Sequence, residues 1–357
     1  MRSKTLRVLA IMLAVVLSLT LIGCGGGAET PDEPAKTDAE QKTMELTFVS
    51  PFPANHHQQL QVIEPFADEV YERTNGRIKI NIHAGGSIST GTQVLDDVLS
   101  GAVDMGWTFP GYTPGRCPLT SMFEFPVHFR SAEEATNTLW SLFEKNETFQ
   151  KEYSDFKLLS IFTACVGNAY TSKSPIHGID DFKGLHLRSA SSMVERTLKT
   201  FGATAANMPM GDAYDAIDRG IVDGLATDHA AIDTYKLYEV LNYATHGLEL
   251  YASPQIFIMS LDSWNKLSPE DQEIIDSIAG RQLSLKSAEI YDDLYNVGYE
   301  TMVREGMEIY ELTDEDKKEF QSHVDEIVNG YIEELEAEGI PAQQVYDDMI
   351  KYRDSYR

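Results

Sequence analysis

Arg188 is the residue in this chain whose type and setting point most directly to chemistry. In "KGLHLRSASS", residues 183–192, a short apolar run from Leu185 to Leu187 stops at the arginine, and Ser189, Ala190, Ser191 and Ser192 follow. A guanidinium offers two parallel donors that match a carboxylate in fork geometry, fixing orientation as well as charge; a lysine supplies the charge alone. The small residues behind it leave room for a guest. The plainer alternative is a surface arginine that caps a strand or pairs with Glu195 or Asp181.

Other reactive constellations are missing from the sequence. There is no GxSxG elbow, no HExxH and no Walker-type phosphate loop. "HAGGSIS" is Gly-rich but lacks GxGxxG spacing. The nine histidines are scattered, and the adjacent His56 and His57 would point apart on a helix or strand, so polar surface is the expected place for both. Cys117 and Cys165 have no CxxC spacing and are expected to be structural thiols rather than zinc ligands. Asp96–Asp97 and Asp180–Asp181 suit solvated helix starts or turns. The expectation is a protein that binds rather than turns over, with no cofactor and no metal.

The elements that must position Arg188 follow from periodicity. "MELTFVSPF" alternates into a strand, a helix follows with Val62, Ile63, Phe66, Ala67 and Val70 on one face, and "RIKINIHAGG" is a strand with Ile78, Ile80 and Ile82 at period two. A helix carrying Val94, Leu95, Val98 and Leu99 leads to the strand "AVDMGW". This β-α-β-α-β pattern recurs between about residues 157 and 228, so two similar α/β lobes with mostly parallel sheets are expected. In such sheets ligands sit beyond the carboxyl ends of strands. Arg188 occupies such an end, and so do Phe52, Phe109 and Tyr112, candidates for the apolar wall of a pocket. Trp107 suits the core. Arg116 suits either a second cation or a structural role in its Pro-rich loop. Further on, Ser268 caps and Pro269 opens an unusually long helical pattern, with a break expected at Gly280.

The amino terminus is expected to lie outside the fold. Arg2, Lys4 and Arg7 precede the apolar "VLAIMLAVVLSLTLIG", which identifies residues 1–23 as a secretory signal peptide. "LIGC" resembles a bacterial lipobox, which makes Cys24 the lipidation site and a membrane anchor. Residues 24–44 are rich in Gly, Pro and charge and suit a flexible tether. Roughly 310 residues remain, long for a single core. With 29 basic against 56 acidic residues the formal charge is −27, which excludes nucleic acid as a partner. An anionic ligand has to be caught by local positive charge against that field.

Several linked stretches, "DDFKGLHLRSASS", "FGATAANMPMGDAYDAIDRGIVDGLATD" and "KLYEVLNY", resemble the substrate-binding subunits of TRAP transporters, the C4-dicarboxylate-binding type. Their pattern runs lkGlkiR, Ga-x-P-x-mp, gE-x-Y-x-AL-x-x-G-x-vDG and lyEV-x-kY; "ERTNGRIKINIHAGG", "GAVDMGW" and "SLDSWNKLSPEDQ" fit as well. The likeness spans nearly all of residues 45–350. It implies a two-lobed periplasmic-binding-protein-like α/β fold with crossing hinge strands and a long bridging helix. Lobe I would hold 45–166 with about 256–296, and lobe II 167–255 with about 297–357. It implies a cleft that closes on one organic anion, whose carboxylate salt-bridges Arg188, and delivery to membrane permease subunits. Met208 and Pro209 fall in its pocket-lining segment.

Two departures bear on the ligand. Many dicarboxylate or sialic-acid binders carry a second arginine where "GNAYTSKSPI" places Asn168, so one cationic anchor is gone and a monocarboxylate is expected. After "VDG", Thr227 and Asp228 stand where the family often has Asn or an aromatic residue. Asp228 in a pocket would favour a hydroxyl or amino group on the ligand; alternatively it caps the helix "HAAIDTYKL". The expected function is extracytoplasmic capture of a hydroxy, oxo or aromatic monocarboxylate. The rivals are a binding protein that feeds a sensor kinase, and an exported enzyme.

Overall fold

Alternation along "MELTFV" sends Leu46 and Phe48 to one face of strand β1 (Met44–Val49) and Val49 to the other, where separate apolar cores receive them. A computed structural model of the chain describes residues 43–357. The expectations for residues 1–23, for Cys24 and for nearly all of the tether fall outside the described residues. β1 runs parallel to β2 (Ile78–His83) and to β3 (Met105–Thr108). β4 (Phe156–Val166) joins the same sheet through β10 (Ala252–Ser260), which is antiparallel to both β3 and β4, giving the order β2-β1-β3-β10-β4.

The second sheet repeats the motif. β6 (His186–Ser189) lies between β7 (Thr204–Asn207) and β8 (Gly224–Thr227), all parallel. β5 (Asn168–Thr171) is antiparallel to β8 and to β9 (Tyr243–His246), and β11 (Glu308–Glu311) closes the order β11-β9-β5-β8-β6-β7. The trios β2-β1-β3 and β7-β6-β8 are the two expected β-α-β-α-β units. The sheets are mixed rather than mostly parallel, because β10 and β5 enter each sheet in the opposite direction.

Two segments pass side by side from one sheet to the other. β4 runs through Gly167 into β5, and residues 247–251 lead from β9 into β10. Gly167 N–H donates to the Tyr251 carbonyl at 2.8 Å, and Leu250 N–H donates to the Gly167 carbonyl at 2.8 Å. A Cβ at Gly167 would lie 2.3 Å from the Tyr251 ring, so glycine is what lets the crossing chains touch there.

The long helical pattern breaks where expected. Ser268 accepts the Asp271 N–H and caps Pro269–Ile278. Gly280, at φ 73°, then redirects the chain into Arg281–Glu305. This 25-residue helix, roughly 37 Å at 1.5 Å per residue, packs on β4 and on helix Ala132–Lys145 beside the first sheet, and on helix His229–Thr234 beside the second. A Cβ at Gly298 would meet the His229 carbonyl oxygen at 2.0 Å, so the bridging helix approaches the second half closely only through a glycine.

The carboxyl-terminal residues divide differently from expectation. β11 pairs into the second sheet, but helix Ala342–Ser355 lies on the first sheet's side against helix Ala132–Lys145, and helix Val324–Ala337 packs both on Ala342–Ser355 and on helix Ser192–Thr200, which follows β6. Ile327, Val328, Val345 and Met349 share a core with Leu139, Ile256 and Ile258. Their apolar stripes are completed by that surface, which the sequence had given no means of choosing. Among the described residues no helix is long and apolar enough to cross a membrane.

Candidate functional site

Arg188, the last residue but one of β6, is held by carbonyls on both sides of its strand. Its side chain is 1% exposed. Nε donates to the carbonyl of Met208, one residue past β7, at 2.9 Å, and Nη1 donates to Ala226 of β8 at 3.4 Å. No carboxylate among the described residues stands within 4.0 Å of it. Two dipoles orient the guanidinium, and the carboxyls that act on it, Asp228 and Glu124, stand beyond ion-pair distance. A buried cation without an ion-pair partner is costly until one arrives.

The guanidinium borders a cavity between the two sheets, with about 520 Å³ of atom-free space when its opening to solvent is included. Phe52, Phe109, Tyr112, Tyr235, Tyr251 and Tyr291 supply aromatic walls. Phe52 packs on Trp107 with centroids 4.0 Å apart, and Phe109 on Tyr112 at 5.0 Å. The Tyr112 hydroxyl, from the segment after β3, accepts the Met210 backbone N–H at 3.1 Å and lies beside Arg188. This contact ties the first sheet's loops to the second sheet's.

Asp228 meets both expectations at once. Its Oδ1 accepts the Ala231 N–H at 3.1 Å, capping helix His229–Thr234, and the residue also lines the cavity. Burial pushes its carboxyl up to about 6, against the pull of backbone N–H groups and Arg188. Glu124 lies close by at 2% exposure, packed where a Cβ on Gly111 would meet both it and Ser191. Burial raises Glu124 to about 7, opposed by Ser191 and Arg188.

Of the residues singled out from sequence, Arg188, Phe52, Phe109, Tyr112, Thr227 and Asp228 converge on the cavity. Met208 and Pro209 do not line it; Met208 acts one step back, through the carbonyl that holds Arg188, while Met210 lines it directly. Asn168 is also outside the lining. Its Oδ1 accepts the N–H groups of Gly247 and Leu248 at 3.0 and 3.1 Å, fixing one of the crossing segments. Trp107 is core, donating to Gln255 at 2.9 Å. Arg116 pairs with Asp96 at the surface at 2.5 Å. Cys117 and Cys165 are buried free thiols.

The polar-surface expectation for His56 fails. The side chain is 5% exposed, packs on Phe52 and Trp107 at 5.0 and 5.2 Å, and lines the cavity. Burial, with His57 beside it, lowers its pKa to about 3 and keeps the ring neutral. Tyr251 and Tyr291 were also missed. The apolar stripe of the bridging helix was the available signal for Tyr291, which lies beside Ile290 on that helix.

A buried cation without an ion-pair partner, facing an aromatic cavity between two α/β sheets, defines a solute-binding protein for an organic anion. The chain belongs to the bacterial extracellular solute-binding proteins, family 7, whose family model matches residues 48–334. Among solved structures it is similar to a marine metagenome TRAP solute-binding protein specific for aromatic acid ligands, in complex with 3-hydroxybenzoate. That match has 25% identity and a TM-score of 0.84, covering 88% of this chain and 99% of the other. A TRAP solute-binding protein from Rhodoferax ferrireducens T118, in complex with copurified benzoate, shares the fold at 23% identity and a TM-score of 0.83, covering 88% and 98%. A monocarboxylate 2-oxoacid-binding periplasmic protein of Nostoc sp. is 27% identical over 303 residues, 81% of this chain and 79% of that protein.

The buried carboxyls set a pH dependence. A carboxyl whose folded pKa lies above its ordinary value favours the folded state in its protonated form. That contribution is complete below about 4.5 and is lost as pH rises through 7, the value to which burial raises both Glu124 and Glu152. His56 and His229, which burial holds neutral, act in the opposite sense below their ordinary value of 6.5, so the carboxyl contribution is read from a substitution: Glu124→Gln is expected to lower the melting temperature at pH 5 relative to that at pH 8, compared with the unsubstituted protein. Thermal denaturation of both proteins at both pH values checks this; a difference between the two pH values that the substitution leaves untouched contradicts it.

Proposed function

We propose that this protein captures a small aromatic, hydroxy or oxo monocarboxylate outside the cytoplasm and delivers it to TRAP-type permease subunits in the membrane. The observation that carries the proposal is the buried guanidinium of Arg188, held by two carbonyls and without an ion-pair partner at the edge of an aromatic cavity. A ligand carboxylate supplies that partner in fork geometry. Asn168, buried and committed to backbone partners, offers no second cation, which favours one carboxylate over two. Aromatic walls favour a flat apolar body, as do the ligands of the similar aromatic-acid-binding protein. The role is binding, without turnover.

Capture works by hinge closure. One lobe comprises 45–166, the strand from Ala252 onward, the first part of the bridging helix and the last two helices; the other comprises 167–251 with β11. They rotate about the crossing segments at Gly167 and Tyr251, and the Tyr112–Met210 hydrogen bond is a contact of the closed form. Lipidation at Cys24 keeps the protein at the membrane with residues 25–44 as a tether. Cys24→Ser is expected to shift the protein from the membrane to the soluble fraction; unchanged fractionation contradicts the anchor.

Thermal-shift assays with benzoate, hydroxybenzoates, mandelate, pyruvate and succinate test the ligand class. Aromatic or 2-substituted monocarboxylates should raise the melting point by mass action, and succinate should not. Arg188→Lys should weaken a bound acid at least tenfold, about 1.4 kcal/mol. Equal affinities by calorimetry would remove the basis of the proposal.

A further inference from the structure

A second polar group faces the cavity from the opposite side. Arg188 ends a strand of the second sheet, whereas His56 lies in the turn that follows β1 of the first. The His56 ring is fixed among Phe52, Trp107 and Tyr235, with centroids 5.0, 5.2 and 6.2 Å away. Its Nδ1 accepts the backbone N–H of Gln58 at 3.2 Å. A neutral imidazole that accepts at Nδ1 carries its proton on Nε2 and donates there. No hydrogen bond among the described residues uses that Nε2–H, which is not among the fully enclosed unpaired polar atoms, and the ring borders the cavity. A donor that opens onto the cavity is available to a ligand there.

We propose that His56 is a specificity-determining residue, its Nε2–H donating to a second, uncharged oxygen of the ligand while Arg188 holds the carboxylate. This rests on the reading of Arg188 given under Proposed function. The oxygen belongs to a hydroxyl or oxo group rather than to a second carboxylate. A neutral imidazole cannot compensate another negative charge in a desolvated site, and Asp228, which lines the cavity from the second sheet, repels one. Burial holds the ring far below the pH at which it would protonate and become a cationic anchor. An acid lacking the oxygen leaves a buried donor unpaired, a loss that discriminates more sharply than missing apolar contact.

Calorimetry on the full chain in detergent tests this with the three hydroxybenzoate isomers, each paired with the methylbenzoate of the same substitution, and with benzoate. A methyl group matches a hydroxyl in size and lacks the oxygen. At least one hydroxybenzoate should bind wild-type protein tenfold or more tightly than its methyl partner. His56→Phe, which keeps a flat ring against Phe52 and Trp107, should erase most of that preference and leave benzoate within about twofold. The wild-type comparison stands even where the variant does not fold. Equal binding of every wild-type pair, or loss of affinity in His56→Phe shared equally by benzoate, overturns the assignment of His56 alone. Failure of all these acids to bind, or binding indifferent to Arg188→Lys, overturns the parent reading and this one with it.

Discussion

The site depends on one buried guanidinium that has no ion-pair partner among the described residues. Arg188 is held in the protein interior by two carbonyl dipoles and by no carboxylate among the described residues. The second sheet makes this possible: with β6 between β7 and β8, the neighbouring strands present Met208 and Ala226 to the same guanidinium. A desolvated cation of this kind is poorly satisfied alone and well satisfied by an anion, so folding and recognition draw on the same residue. The protein as a whole carries a formal charge of −27, and attraction of an anion therefore has to be local rather than a property of its outer field.

The rest of the architecture brings a second wall to that charge. The first sheet contributes Phe52, His56, Phe109 and Tyr112 from the loops after β1 and β3. Two glycines control how the halves meet. Gly167 lets the crossing segments lie against Tyr251, and Gly298 lets the bridging helix touch the backbone at His229. Tyr251 and Tyr291, one on a crossing segment and one on the bridging helix, both line the cavity. The elements that join the halves are thus also walls of the site.

Much of this was legible in the sequence for a definite reason. Parallel β-α-β units place ligands at strand ends, so an arginine closing the apolar run Leu185–Leu187 and aromatics after the first and third strands could be assigned before any coordinates. Asp228 was legible as a cap or as a pocket residue, and it is both. His56 was not legible, because "HH" in a polar turn carries no periodic signal and its burial comes from Phe52 and Trp107 folding over it. Asn168 and Met208 were placed near the site correctly in the chain but act through backbone partners rather than on the cavity. The last two helices show a different limit: an amphipathic stripe reveals that a helix is covered, not which core covers it.

The central claim is that Arg188 recognises charge and fork geometry together, and it is tested most directly by changing only the ligand's carboxylate. Calorimetry would compare a hydroxybenzoate with the hydroxybenzamide of the same substitution, which keeps size, ring and hydroxyl but removes the negative charge. The carboxylate is expected to bind at least about a hundredfold more tightly, ~2.7 kcal/mol. An amide bound within about threefold of the acid, ~0.65 kcal/mol, would mean that the buried guanidinium is structural and that recognition lies elsewhere in the cavity.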